Sequence, residues 1–139
     1  MSIWKSKSSF LSKPWGDEEH FSSPFGMSGK IITLKANKRT SLKYYDMKNQ
    51  LIYCLEGHVR VFAKGEKEFG DIDGEDGNYF NLHSGDIILI QAQSPYRITA
   101  IEDSKMLEVL NGSPGARDGF VMLEDDYGRK LNRTEINCR

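Results

Sequence analysis

Residues 51–63, LIYCLEGHVRVFA, decide how the chain folds. Two apolar runs, Leu51 to Leu55 and His58 to Ala63, meet at Glu56-Gly57, and each is strand-sized rather than helix-sized. Gly57 supplies the positive φ that a tight reversal demands and a side chain would resist, so the pair is expected as a β-hairpin. The same texture repeats on either side. Lys30 to Leu34, Ser41 to Tyr45, Tyr79 to Leu82, Asp86 to Gln91, Tyr96 to Ile101 and Lys105 to Leu110 are short apolar runs bounded by Gly, Asn, Asp or Ser. Ser84-Gly85-Asp86 forms a second turn of the same kind. Strands predicted at this spacing, with no long 3.6-period segment between them, specify an all-β sandwich or barrel and not βαβ units.

The chain has 139 residues, the length of one domain, and can bury enough surface to fold without disulfide or metal staples. Residues 1–28 place Pro and Gly around aromatics (Lys13-Pro14-Trp15-Gly16, Ser23-Pro24-Phe25-Gly26) and are expected as a loop-like arm packing on the barrel or on a partner subunit. Residues 29–129 form the body and residues 130–139 a polar tail. Between Lys64 and Asn78, Gly65, Gly70, Gly74 and Gly77 among acidic residues mark a surface loop or a loosely paired hairpin tip.

A net charge of −1 supplies no field to draw in nucleic acid or an anionic membrane. No apolar run approaches the roughly 18–20 residues of a membrane span, and Met1 to Phe10 lacks the apolar core of a secretory signal. The expected address is the cytoplasm. Cys54, in an apolar run, and Cys138, next to last, are expected as unrelated thiols.

Four segments carry a resemblance: Lys13-Pro14-Trp15-Gly16; Thr40-Ser41-Leu42-Lys43 through Gly57; Ser94-Pro95-Tyr96-Arg97-Ile98; and Leu123-Glu124-Asp125-Asp126-Tyr127-Gly128-Arg129. With the Gly-bounded alternation, they make the chain similar to the cupins, double-stranded β-helices of the jelly-roll type. More narrowly, it resembles the C-terminal mannose-6-phosphate isomerase domain of bifunctional isomerase and mannose-1-phosphate guanylyltransferase proteins. The resemblance spans Lys13 to Arg129.

Cupin chemistry rests on a divalent metal held by three His and one Glu, borderline and hard donors. Carried over residue by residue, those ligands fall on Tyr45, Met47, Gln50 and Tyr96. A neutral phenol, a thioether and an amide are poor substitutes, so no metal and no cofactor is expected. The histidines, His20, His58 and His83, show no ligand spacing that would rebuild a site.

A pocket is expected nonetheless. Period two puts Lys43, Tyr45 and Met47 on one face and Gln50, Ile52 and Cys54 on the lumen side, with Tyr96 meeting them. Tyr45, Tyr96 and Lys43 are the candidate catalytic residues, provided that Lys43 lowers a phenol pKa, since no carboxylate or His stands at hand as an obvious base. Gln50, Arg97, Arg129 and Met47 are candidate ligand contacts. Alternatively Tyr45, Met47 and Tyr96 fill the space a metal would occupy. Arg97 and Arg129 could equally be salt-bridge partners, Glu124-Asp125-Asp126 a solvated acidic turn rather than a cation site, Cys54 a buried filler, and Trp15 a packing residue rather than a sugar platform.

The expected function is metal-free binding, with or without isomerisation, of a sugar phosphate or similar small polar metabolite. The alternatives are a non-catalytic structural or regulatory cupin with a filled lumen, and a metal-dependent mannose-6-phosphate isomerase. Leu51, Tyr53 and Leu55 are apolar on the strand's other face, so that face needs a cover, and a homodimer is expected.

Overall fold

The computed structural model describes residues 2–64, 78–111 and 120–129. Residues 65–77 of the Gly-rich excursion, the tail 130–139 and Cys138 lie outside them. Strands β1 (Ser9–Lys13), β2 (Gly16–Ser22), β3 (Ser28–Leu34), β4 (Leu42–Tyr45), β5 (Gln50–Glu56), β6 (His58–Ala63), β7 (Tyr79–His83), β8 (Ile87–Ile90), β9 (Tyr96–Ala100), β10 (Ser104–Leu110) and β11 (Phe120–Glu124) follow one another without a helix among the described residues. They form two antiparallel sheets, ordered β1-β2-β3-β10-β5-β8 and β11-β4-β9-β6-β7. This is a jelly-roll sandwich, as the alternation predicts, and no helix among the described residues is long and apolar enough to cross a membrane.

The inner faces carry the alternating residues. Ile52 and Cys54 of β5, Val59 and Val61 of β6, Ile98 of β9 and Met106 of β10 are buried between the layers. Each large aliphatic side chain so placed contributes roughly 1.5–3 kcal/mol. Cys54 acts as filler, and burial pushes its thiol pKa up, with Asp86 adding to the shift.

Three expectations are corrected. The arm is not a loop: β1 and β2 extend the larger sheet edgewise from β3, with His20 opposite Lys30 and Glu18 opposite Ile32. Its sequence hides this, because Gly16–Ser22 is polar and lies on the sheet's thinly covered end. Trp15, at the turn between these strands, is buried in the core, the packing role weighed for it above.

Glu56-Gly57 does not close a hairpin, because β5 pairs with β10 and β8 while β6 pairs with β7 and β9. It is a corner between the layers. The glycine is required all the same, since its φ is +94° and a Cβ would collide with Ser104 Oγ and the Asp103 carbonyl. Gly85, with φ +93°, turns the chain between layers in the same way, from β7 to β8. Finally, β11 adds an edge strand at Phe120–Glu124 that the sequence reading did not include.

Candidate functional site

The site is built on one transverse row of the larger sheet. His20 of β2, Lys30 of β3 and Glu108 of β10 are successive register partners, so their side chains share the inner face. Glu18, two residues before His20, joins them from the same face. Lys30 Nζ lies 3.4 Å from Glu108 Oε2, 3.8 Å from Glu18 Oε2 and 3.4 Å from the Tyr45 hydroxyl. His20 Nε2 stands 2.7 Å from Glu18 Oε1.

These charges hold one another. Burial favours the neutral amine of Lys30, but Glu108, Tyr45 and Glu18 outweigh it and raise the pKa, so Lys30 stays an ammonium. Burial would raise the Glu18 carboxyl, yet Lys30, the His20 hydrogen bond and Lys13 together bring it below its usual range.

The opposing sheet supplies Lys43 and Tyr45 from β4 and Tyr96 from β9, with Lys43 and Tyr96 in register. Gln50 bridges the layers at the core, its amide donating to the Tyr96 hydroxyl at 2.6 Å and to Glu108 Oε1. Glu108 Oε2 accepts no hydrogen bond, so Lys30 is its electrostatic partner. Lys43 Nζ sits 4.7 Å from the Tyr96 ring centroid. Burial, then the charge of Lys30, pushes the Lys43 pKa down to about 7; Arg129 adds to this and Glu108 and Glu18 oppose it.

The phenols move the other way. Burial raises the pKa of Tyr45, against the opposing pull of Lys30, and raises that of Tyr96 well above its usual value with Glu108 adding to the effect. The idea that Lys43 would lower a phenol pKa is therefore corrected. A cationic Lys43 would be needed for that, and with its own pKa brought down while those of the phenols rise it is the lysine that yields its proton first.

The structure thus brings Lys43, Tyr45, Gln50 and Tyr96 together, as their strand positions predict. It sends Met47 away. Strand β4 ends at Tyr45, so the alternation stops there, and Met47 is 77% exposed while Lys48 turns inward to within 5.7 Å of the Tyr45 ring centroid. Arg97 is also elsewhere: its guanidinium donates to the Thr40 carbonyl at 2.9 Å and pairs with Glu124 and Asp126 at 3.6 and 3.8 Å.

The terminal signature is a latch. Asp126 pairs with Arg39, Tyr127 donates its hydroxyl to the Arg39 carbonyl at 2.9 Å, and Asp125 grips Arg129 at 2.7 Å. Glu124-Asp125-Asp126 is accordingly a salt-bridged turn. Arg129 still lines the cavity.

That cavity, about 270 Å³, opens between the β1-β2-β3 end of the larger sheet and the β4-β11 edge of the smaller. Its walls carry Lys13, Lys30 and Arg129 against Glu18, with Lys43, Tyr45 and His20 alongside. A second opening of about 250 Å³ shares His20, Lys30 and Tyr45 with it. Two residues overlooked in the sequence, Glu18 and Glu108, put carboxylates at this site, and His20 adds an imidazole. The expectation that no such base stands at hand is corrected. Counting period two from the apolar Met106 would have placed Glu108 inward, as counting back from Leu34 and Ile32 would have placed Lys30.

These donors do not fit a cupin metal. The inner shell is two phenols and an amide, and both carboxylates are engaged by Lys30, which brings a positive charge into the place a cation would need. Among the described residues no group of three His, Cys, Asp or Glu converges to hold an ion. His58 and His83 stack on each other at 4.1 Å across β6 and β7, away from this cavity.

No family model matches the chain. Human DNA mismatch repair protein Mlh3 is 28% identical over 89 residues, 64% of this chain but only 6% of that protein. Among solved structures, a Bacillus subtilis oxalate decarboxylase variant superposes with a TM-score of 0.71 at 15% identity, over 84% of this chain and 30% of its own. KdgF from Halomonas sp. gives 0.60 at 13% identity, covering 74% of this chain and 86% of its own. CapF, a capsular polysaccharide assembling protein from Staphylococcus aureus, gives 0.69 at 10% identity over 88% of this chain and 33% of its own. These neighbours are cupin-fold proteins, and the fold described above is the cupin double-stranded β-helix.

Proposed function

We propose that this cupin-fold chain binds a small anionic metabolite of the sugar-phosphate class in the Lys30–Lys43 cavity and isomerises it without a metal. One observation carries the reading: among the described residues the cavity lining holds Lys13, Lys30, Lys43 and Arg129 and one carboxylate, Glu18, while Glu108 and Asp125 pair with Lys30 and Arg129 from behind the wall. Cations concentrated in a concave, low-dielectric wall focus their field on an anion. The volume suits a small metabolite, being near the lower end of ordinary ligand pockets, roughly 300–1,000 Å³.

The acid–base assignments follow from the directions of the pKa shifts. Tyr45 and Tyr96 stay protonated and serve as hydrogen-bond donors or acids. Lys43, half neutral near pH 7, is the group free to accept a proton or share its lone pair. Tyr45 lines the cavity, whereas the Tyr96 hydroxyl is occupied by Gln50. Tyr96 therefore supports the floor and Tyr45 meets the ligand. The resemblance to mannose-6-phosphate isomerase domains supports the same substrate class.

The test is a thermal-shift series with sugar phosphates and their unphosphorylated counterparts, joined to a ketose–aldose assay on protein stripped of metal. A ligand at 100 times its Kd stabilises by about 2.7 kcal/mol, which moves the melting temperature by several degrees. Phosphorylated sugars are expected to do this and neutral sugars are not. Equal indifference to both would favour the second reading, a non-catalytic scaffold with a filled lumen, which is itself supported by Gln50 and Tyr96 being buried against each other.

A further inference from the structure

Among the described residues, Lys43 is the cation of the cavity that has neither an ion pair nor a hydrogen bond, only a contact with an aromatic ring. Both carboxylates near it are taken, Glu18 by Lys30 and His20 and Glu108 by Lys30 and Gln50. Among the described residues Lys43 makes no ion pair, and its nitrogen rests over the π face of Tyr96. A second lysine lies in the same wall, held as an ammonium by its two carboxylates. A lysine that is desolvated and faces another fixed cation is the arrangement that frees an amine lone pair at neutral pH.

From this geometry we infer that Lys43 is a covalent nucleophile, forming an imine with the carbonyl carbon of an anionic aldehyde or ketone bound in the cavity. The inference rests on the proposed anion site and gives that site its reacting group. The Nζ lone pair attacks the carbonyl carbon while the π pair moves to oxygen, and one proton passes from the nitrogen to that oxygen to give a neutral carbinolamine. A second proton, taken from solvent, lets the hydroxyl leave as water while the nitrogen lone pair forms the C=N bond; the nitrogen keeps its remaining proton, and the product is a protonated imine. No oxidant or reductant is consumed. Such an imine draws electrons from the adjacent carbon, which is what an aldose–ketose interchange needs.

The groups that set the state of Lys43 come from every side. Lys30 on β3 and Arg129 beyond β11 oppose its protonation; Glu18 on β2 and Glu108 on β10 favour it; burial outweighs each. At pH 7 an amine with a pKa of about 7 is half neutral. An ordinary lysine is neutral in about one molecule in 2,500. Reduced basicity trims that advantage without removing it.

The experiment uses the full chain and glyceraldehyde 3-phosphate at pH 7, with borohydride reduction and peptide mass spectrometry to locate the adduct. Unphosphorylated glyceraldehyde is run in parallel. Adduct at Lys43 is expected at least about tenfold faster than at the exposed Lys38, with a rate half-maximal near pH 7 and a preference for the phosphate ester. Labelling at Lys43 no faster than at Lys38 overturns the inference, even where the phosphate ester raises the melting temperature. That combination would leave the cavity as a non-covalent site. Fast labelling of Lys43 by both aldehydes alike would support the nucleophile and overturn the anion selectivity. Competitive acetylation of the unmodified protein with acetic anhydride needs neither ligand nor substitution. It is expected to rank Lys43 above Lys38 at pH 7, and the reverse ranking would overturn the inference independently.

Discussion

Lys30 and Glu108 are direct cross-strand partners on β3 and β10, and their charged atoms stand 3.4 Å apart inside the sandwich. Neither sheet neighbour is incidental to the pair: His20 flanks Lys30 on β2 and Ile52 flanks Glu108 on β5. The row passes from ionic to apolar across the sheet. The cavity lies at its ionic end.

Removing one partner of this pair strands the other. Lys30→Met is expected to cost about 3–5 kcal/mol in urea unfolding, because Glu108 and Glu18 lose their shared ammonium. Adding Glu108→Gln to that variant should restore part of the loss, with a coupling of roughly 0.5–3 kcal/mol. Strictly additive losses would show that the two charges do not hold each other.

The pH dependence of stability has a definite sign. The Lys43 pKa falls from 10.5 to about 7 on folding, so between those values the unfolded chain binds more protons. Stability contributed through this group therefore rises as pH increases from about 7 toward 10 and is absent below 7. Lys30 moves upward instead and adds no slope in that window. Comparison of wild type with Lys43→Met by chemical denaturation at pH 6 to 10 is expected to show a steeper rise in the wild type; parallel curves would contradict the assignment.

The two buried tyrosines should separate. Tyr96→Phe removes the acceptor that Gln50 uses and is expected to cost about 1 kcal/mol in stability. Its effect on sugar-phosphate binding should be the smaller of the two. Tyr45→Phe leaves the ring contact with Phe120 at 5.4 Å in place but takes a hydroxyl from the cavity wall, so it should weaken ligand binding more than it weakens the fold. Calorimetry with glyceraldehyde 3-phosphate on both variants reads this directly.

Arg97→Ala tests the latch. Its guanidinium ties Thr40 and Glu124 to β9, so the variant is expected to lose roughly 1.5–3 kcal/mol of stability. Ligand affinity in the protein that remains folded should be unchanged. A selective loss of phosphate-ester binding would return Arg97 to the site.

The outer face of the larger sheet carries Leu51, Tyr53 and Leu55 of β5 beside Ile87 and Leu89 of β8, with Leu51 opposite Leu89 and Tyr53 opposite Ile87. Val109 of β10 continues the strip from Leu51. The N-terminal arm does not cover it, because β1 and β2 lie edgewise in the same sheet. An exposed apolar strip of this kind can be buried against its own copy about a two-fold axis, so we propose a homodimer through this face. Sedimentation should show a dimer that Leu51→Lys with Leu89→Lys converts to monomer. A monomeric wild type would refute it.

The sequence alone determined the layer architecture, because strand-length apolar runs with period-two burial leave few other ways to hide one face. It also determined that Gly57 and Gly85 would be turns, where glycine accommodates the positive φ, and, through strand alternation, that Tyr45, Gln50 and Tyr96 would face the same interior. What it could not determine was which sheet each strand joins. Glu56-Gly57 is equally good as a hairpin or as a corner, and only the competition of β10 and β8 for the edges of β5 decides between them. The same holds for the chemistry. A glutamate amid apolar residues, or a polar strand between two Pro-Gly turns, looks solvated until register brings His20, Lys30 and Glu108 onto one row. Charges 78 residues apart in the chain, at Lys30 and Glu108, then stabilise one another inside the fold and, among the described residues, leave Lys43 without a counter-ion.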